Sequence, residues 1–281
     1  MAIITRRSSS TNKTITFNGY TGDLVPEISD GFGKAPNPTA LSVVRNYLAA
    51  THVGNYALFG GGYKGSPSGD GSYYSKAVDA YDTSLNMTTR TPLSIARRKL
   101  AATHIGDYAL FGGGYDWSTS GDGSYYSKAV DAYDTSLNRT TRTPLSVARE
   151  YLAATHVGNY ALFGGGYDNN LSDDNNTYSP VVDAYDTSLN RTACTPLSVA
   201  RGKLAATHVG DYALFGGGYK GNPSGDGSYY SNVVDAYATK IYKATITLPP
   251  NVSYEFDGVS GTTTEPTDVL VGYPVYGSVT V

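Results

Sequence analysis

An eight-residue phrase, Tyr-Ala-Leu-Phe-Gly-Gly-Gly-Tyr, occurs four times without change, at 56–63, 108–115, 160–167 and 212–219. Its first glycines, Gly60, Gly112, Gly164 and Gly216, stand 52 residues apart. A chain with such a period folds as repeated units, each covering its neighbour's apolar face because one unit cannot bury its own. Each unit holds four strand-like segments, which in the first are 48–53, 56–60, 77–82 and 88–96. Gly54-Asn55 between the first two is a tight hairpin signal, with Gly-Asp in its place at 106–107 and 210–211. Pro92 puts the fourth segment at an edge, since proline cannot serve a central ladder. No helical periodicity interrupts this pattern. Four short antiparallel strands per unit predict the blades of an all-β propeller, with 48–53, 100–105, 152–157 and 204–209 innermost.

The ends determine the blade count. Residues 1–13 read as a flexible N-terminal arm, Thr14-Ile15-Thr16-Phe17 as a strand, and 19–38 as a Gly-, Pro- and Asp-rich loop. Residues 40–45 match 92–97, so the chain enters its repeat partway through. The near-identical repeats run over about 40–245, and 246–281 hold strand-like runs without the glycine phrase. A propeller leaves no strand edge open. The expected domain is therefore 14–281, a five-bladed ring closed by N- and C-terminal strands; the alternative is four blades plus a small terminal β-module.

The ordered features of each repeat resemble a kelch repeat: a glycine pair after an apolar strand, then Val-Asp-Ala-Tyr-Asp, then Asn and a Pro-Leu segment ending in Arg. Kelch repeats usually carry a Trp soon after that Tyr-Asp, where this chain has Thr88, Thr140 and Thr192, a divergence from the pattern. The resemblance implies four-stranded propeller blades and says little about activity.

Charge excludes one class of partner. With 21 basic against 24 acidic residues and a net charge of −3, the chain lacks the cationic surface that nucleic acid requires. Neither a signal-peptide-like run nor a membrane-length apolar stretch is visible, which predicts a soluble chain, cytoplasmic or virion-associated, without membrane insertion. The lone cysteine, Cys194, stands where sibling repeats carry Arg90 and Arg142, and cannot form an internal disulfide. Tyrosine is abundant, 26 against seven Phe and one Trp; most of it is expected to serve half-buried strands.

Every candidate for chemistry is itself repeated. His52, His104, His156 and His208 share one position on the predicted inner strand. A propeller radius is expected to hold them too far apart for shared coordination, leaving each packed between blades against a hydrogen-bonding neighbour, with no metal or other cofactor. Arg45, Arg97, Arg149 and Arg201 are expected to pair with carboxylates of the Asp79 type. Copper oxidases on kelch propellers use a Cys–Tyr cross-link with Tyr and His ligands, and the surroundings of Cys194 do not match that motif. The Asp- and Asn-rich loop 168–174 lacks the Gly and Glu of a helix-loop-helix calcium site and reads as a polar surface loop.

The repeats differ from one another mainly in two places: 46–47 with 98–99, 150–151 and 202–203, and the loops that follow the glycine phrase. In an antiparallel four-stranded blade these connections leave on the same side. They predict a binding rim made of Tyr47, Arg98, Lys99, Trp117, Tyr151, Asn169 and Lys203. The expected function is a non-enzymatic binding or assembly module, a phage virion or bacterial surface component that meets a glycan or protein ligand, or other virion or surface proteins, through that rim. Two alternatives stand beside it: a carbohydrate-active or oxidising enzyme, which a cleft with perturbed carboxylates or a Cys194–Tyr contact would favour, and a purely structural virion protein.

Overall fold

The computed structural model describes residues 14–17, 20–23, 38–65, 73–116, 125–168, 177–221 and 229–238, together with the strands and one turn between 243 and 280. The chain divides into two compact units, Met1–Pro38 and Thr39–Val281. In the first, Thr14–Phe17 pairs with Tyr20–Asp23 as an antiparallel hairpin.

The second unit is built from the repeats, and the described residues are all strand, turn and loop. Three repeats give four-stranded antiparallel sheets. Sheet 1 holds Ala49–Val53, Tyr56–Gly60, Val78–Tyr81 and Met87–Arg90; sheet 2 holds Ala101–Ile105, Tyr108–Gly112, Val130–Asp134 and Arg139–Arg142. Sheet 3 holds Ala153–Val157, Tyr160–Gly164, Val182–Asp186 and Arg191–Ala193. Sheet 4 has three strands, Ala205–Val209, Tyr212–Gly216 and Val234–Ala238. Lys243–Leu248 begins one period after Arg191, yet it pairs with Thr267–Gly272. Ser253–Phe256 pairs with Val259–Thr262 and with Gly277–Thr280. Among the described residues these terminal strands pair with one another.

First strands of successive sheets lie beside one another, as expected of inner strands. The fourth strand is shorter than the sequence suggests: it ends at Arg90, not at 96. Beyond Pro92 the chain leaves its own ladder and crosses to the next sheet. There Ser94 donates from its N–H and hydroxyl to Asp131, and Arg97 binds the same carboxylate at 2.9 Å. Tyr133 of sheet 2 in turn donates its hydroxyl to the Thr91 carbonyl at 2.7 Å.

The apolar core lies between sheets, not within them. One seam joins Val53, Leu58, Val78 and Ala80 of sheet 1 to Ala109, Phe111, Tyr133 and Leu137 of sheet 2. The next joins Ile105, Leu110, Val130 and Ala132 to Ala161, Phe163, Tyr185 and Leu189. Each sheet therefore has a trailing face, rich in Val and Leu, and a leading face carrying Phe, Tyr and Ala. The first glycine of the repeated phrase makes the fit possible: a Cβ at Gly112 would lie 2.7 Å from Phe163 Cε1, closer than atoms can approach. The second glycine turns the chain at a backbone angle that side chains resist, φ 73° at Gly61, and there a Cβ would meet the Arg97 carbonyl at 2.7 Å.

Buried ion pairs close each seam. Arg149, fully buried, donates to the Phe163 carbonyl at 3.1 Å and to Asp183 at 2.7 Å, and Arg191 takes the other Asp183 oxygen at 2.9 Å. The expected Arg–Asp pairing is found in all four repeats, at Arg45–Asp79, Arg97–Asp131, Arg149–Asp183 and Arg201–Asp235. Burial pulls the Arg97 and Arg149 guanidinium groups below their ordinary range, against the raising effect of their carboxylates.

Candidate functional site

The two variable connections meet at their described ends, and most of the second lies outside the described residues. The chain entering each first strand pairs with the residue that ends the glycine phrase: Asn46 with Tyr63, Arg98 with Tyr115, Gly202 with Tyr219, and Arg149–Glu150 with Tyr167–Asp168. Tyr63 then bridges to Tyr74, and Tyr115 to Tyr126. Each repeat thereby adds tyrosines to the same end of the sheets.

Tyr47, Lys99, Tyr151 and Lys203 occupy equivalent positions in the four repeats, and all have left-handed backbones, with φ between 53° and 56°. Such angles cost a residue with a Cβ, and glycine would relieve them. The conformation is over-determined by a ladder running from sheet to sheet. The Lys99 N–H donates to the Tyr47 carbonyl at 2.9 Å, Tyr151 N–H to Lys99 at 3.0 Å, and Lys203 N–H to Tyr151 at 2.9 Å. Backbone is thus fixed while side chains remain free to vary.

Those side chains converge. The rings of Tyr47 and Tyr151 meet edge to face at 6.4 Å. Lys99 Nζ lies 4.3 Å from the Tyr151 ring centre and 3.0 Å from the Glu150 carboxylate. Lys203 Nζ approaches the Tyr151 and Tyr167 rings at 5.0 and 5.8 Å. The Arg98 guanidinium sits among three rings, at 5.2 Å from Tyr63, 5.3 Å from Tyr74 and 5.1 Å from Tyr115. Desolvation raises the Tyr151 hydroxyl above its ordinary value, with Tyr47 adding to the rise and Lys203 opposing it. Aromatic rings with hydroxyl groups stand beside cationic side chains at this end, a set suited to stacking and to hydrogen bonding.

Five of the seven predicted rim residues are therefore brought together: Tyr47, Arg98, Lys99, Tyr151 and Lys203. Trp117 and Asn169 lie outside the described residues, as does most of the loop 168–174. Sequence reasoning missed the tyrosines that enclose Arg98. The available signal was their place, closing the glycine phrase and beginning again at Tyr73-Tyr74 and Tyr125-Tyr126, beside the variable residues instead of within strands.

The histidines require a correction. Successive ring centres are 3.9 Å apart for His52–His104 and 4.1 Å for both His104–His156 and His156–His208, so the inner strands stack them in a row. The expected wide separation fails because first strands of neighbouring sheets lie side by side. Burial and the adjacent imidazoles lower the His104 pKa to about 4, and His156 moves in the same direction. Among the described residues no group of three His, Cys, Asp or Glu is placed to hold a metal ion.

Cys194 and Tyr237 line one cavity of about 310 Å³, between sheets 3 and 4, with Val157, Tyr160, Leu162 and Ala184. Burial raises the Cys194 thiol above its ordinary value, and Tyr237 spends its hydroxyl on the Thr195 carbonyl at 2.9 Å. Its described lining is mostly apolar and holds no His, Lys, Asp or Glu. Among the described residues no helix is long and apolar enough to cross a membrane.

No family model matches the chain, and no curated protein matches it. A solved structure described as that of YjhT is similar at a TM-score of 0.55, with 14% identity over 71% of this chain and 68% of that one. At this identity the likeness is one of fold, and it agrees with an all-β assembly of four-stranded sheets consistent with a β-propeller.

Proposed function

We propose that the chain is a non-enzymatic binding module on kelch-like propeller blades, meeting a glycan or a protein surface with the end that carries Tyr47, Arg98, Lys99, Tyr151 and Lys203. One observation carries the reading: four variable side chains project from a backbone ladder held at strained angles, and they converge into a cluster of aromatic and basic groups. Rigid tyrosines give contact area at small entropic cost, and positions that change without disturbing packing suit recognition. The buried carboxylates argue in the same direction. Asp131 and Asp183 are each taken up by a serine and two arginines, which commits them to holding sheets together instead of moving protons. A virion or bacterial surface is a setting in which such a rim, present in many copies, gains by avidity.

The test is a binding screen of the full chain against immobilised oligosaccharides and surface proteins, followed by two substitutions. Tyr151→Ala keeps a Cβ at the strained position and removes the central ring; binding should weaken by about 1–3 kcal/mol, the scale of an aromatic anchor. Asp107→Ala, at the hairpin turn on the opposite end, should leave affinity unchanged. Equal losses from both would overturn the assignment, as would a bound ligand contacting the hairpin end.

A further inference from the structure

Both terminal sheets expose the half of a seam that interior sheets bury. On the trailing side of sheet 4, Val209 and Val234 are 62% and 60% exposed, whereas Val157 and Val182 of sheet 3 are 3% and 1% exposed. Leu214 is half-buried and Ala236 exposed, although Leu110 and Ala132 have no exposure in the equivalent places of sheet 2. Gly216 is an empty socket: a Cβ there would touch Val234 of its own sheet at 3.5 Å, with none of the Phe contacts found at Gly60, Gly112 and Gly164.

The leading side of sheet 1 has the complementary shape. Ala57 is exposed and Phe59 and Leu85 are half-buried, while Ala109, Phe111 and Leu137 of sheet 2 are buried in the first seam. Sheet 1 also arrives with its latch closed, since Ser42 and Arg45 already hold Asp79 and Tyr81 already donates to the Thr39 carbonyl. The backbone ladder is complementary too. Among the described residues its three bonds leave the Tyr47 N–H at one end and the Lys203 carbonyl at the other, one donor and one acceptor.

We infer that the trailing face of sheet 4 docks the leading face of sheet 1 of a second copy of this chain. The argument is continuity: the same seam forms three times inside the chain, from the same residues, and both halves of a fourth stand open at its ends. The Phe59 ring of one copy enters the Gly216 socket of the other, and Leu85 and Val209 join one core as Leu137 and Val53 do in the first seam. Reciprocal docking in a two-fold pair satisfies both ends of both copies without leaving an open filament. A fifth blade built from the chain's own termini is the alternative, and it predicts a monomer.

Light scattering of the full chain over a range of concentrations reads the difference. The expected mass is twice the 29.7 kDa of one chain. Ala57→Arg and Gly216→Leu each place bulk on an exposed face without entering a seam of the same molecule, so each should fold as the wild type by circular dichroism. Alone, each should be monomeric, because every head or every tail is blocked. Mixed in equal amounts they should regain a two-chain species, since one carries a good tail and the other a good head. A monomeric wild type at every concentration would overturn the inference, as would association that persists in both variants or a mixture that fails to associate.

Discussion

Sheets 2 and 4 carry nearly the same sequence in different surroundings. In sheet 2 both faces are covered, the third strand is buried at four of its five residues, and Asp131 sees no solvent. In sheet 4 the third strand is exposed at alternate residues, and the Asp235 side chain is 16% exposed. The difference shows where the stabilising free energy of a repeat fold resides. A single 52-residue unit owns two half-cores and no complete one; its apolar residues contribute fully only once a neighbour's face removes them from water.

The largest effect expected from this comparison is at a phenylalanine. Phe163→Ala empties the seam between sheets 2 and 3 and should destabilise by about 3–5 kcal/mol. Phe59→Ala, measured in dilute solution, should cost no more than about 1.5 kcal/mol, the area contribution of a half-buried side chain. Chemical denaturation of the two variants separates them, and equal losses would show that sheet 1 is already covered within one chain.

The glycines sharpen the same contrast. Gly112→Ala drives a methyl group into Phe163 and should cost about 1–3 kcal/mol through overpacking. In dilute solution, where each chain stands alone, Gly216→Ala meets open space and should change stability by no more than about 0.5 kcal/mol, as surface substitutions do. Thermal midpoints of the pair in dilute solution would read the difference, and a costly Gly216→Ala there would mean that some part of the same chain fills the socket.

A smaller effect is expected in the middle of the inner row of histidines. The folded state holds His104 near a pKa of about 4, below its unfolded value near 6.5. Between those values the unfolded chain binds the extra proton, so stability is complete above the unfolded pKa and declines as pH falls toward the folded one. The thermal midpoint of the wild type should therefore fall with acidification through that window. His104→Gln should flatten the slope, because it removes the imidazole whose pKa the fold lowers. An unchanged slope would mean that burial in the row has no bearing on stability.

Much of the site was legible before any coordinate. The glycine phrase marked the strands and their order, and the variable dipeptides singled out Tyr47, Lys99, Tyr151 and Lys203 because near-identical copies differ where the repeated packing does not dictate the side chain. The enclosure of Arg98 was hidden, since its three rings come from two repeats and from two different loops. The histidine spacing was misjudged for a related reason: it depends on how closely first strands pack, a distance that no period in the sequence records. Repeat 4 shows a partial signal at its third turn, where Ala238 replaces Asp82, Asp134 and Asp186. Those carboxylates cap the turns that present Leu85, Leu137 and Leu189, and alanine has no oxygen to accept the same bonds.

The sequence by itself determined the unit: four strands, their alternation, the glycine that admits a neighbour's ring, and the arginine that reaches the next repeat's aspartate. These are local choices or recur at a fixed separation, so a single period encodes them. Only the tertiary structure decided which copies are buried, which residues meet at the rim, and where the terminal strands pair. The physical reason is that identical sequences have identical propensities, and burial is set by what stands opposite. At Val157 that is another sheet of the same chain; at Val209 it is solvent.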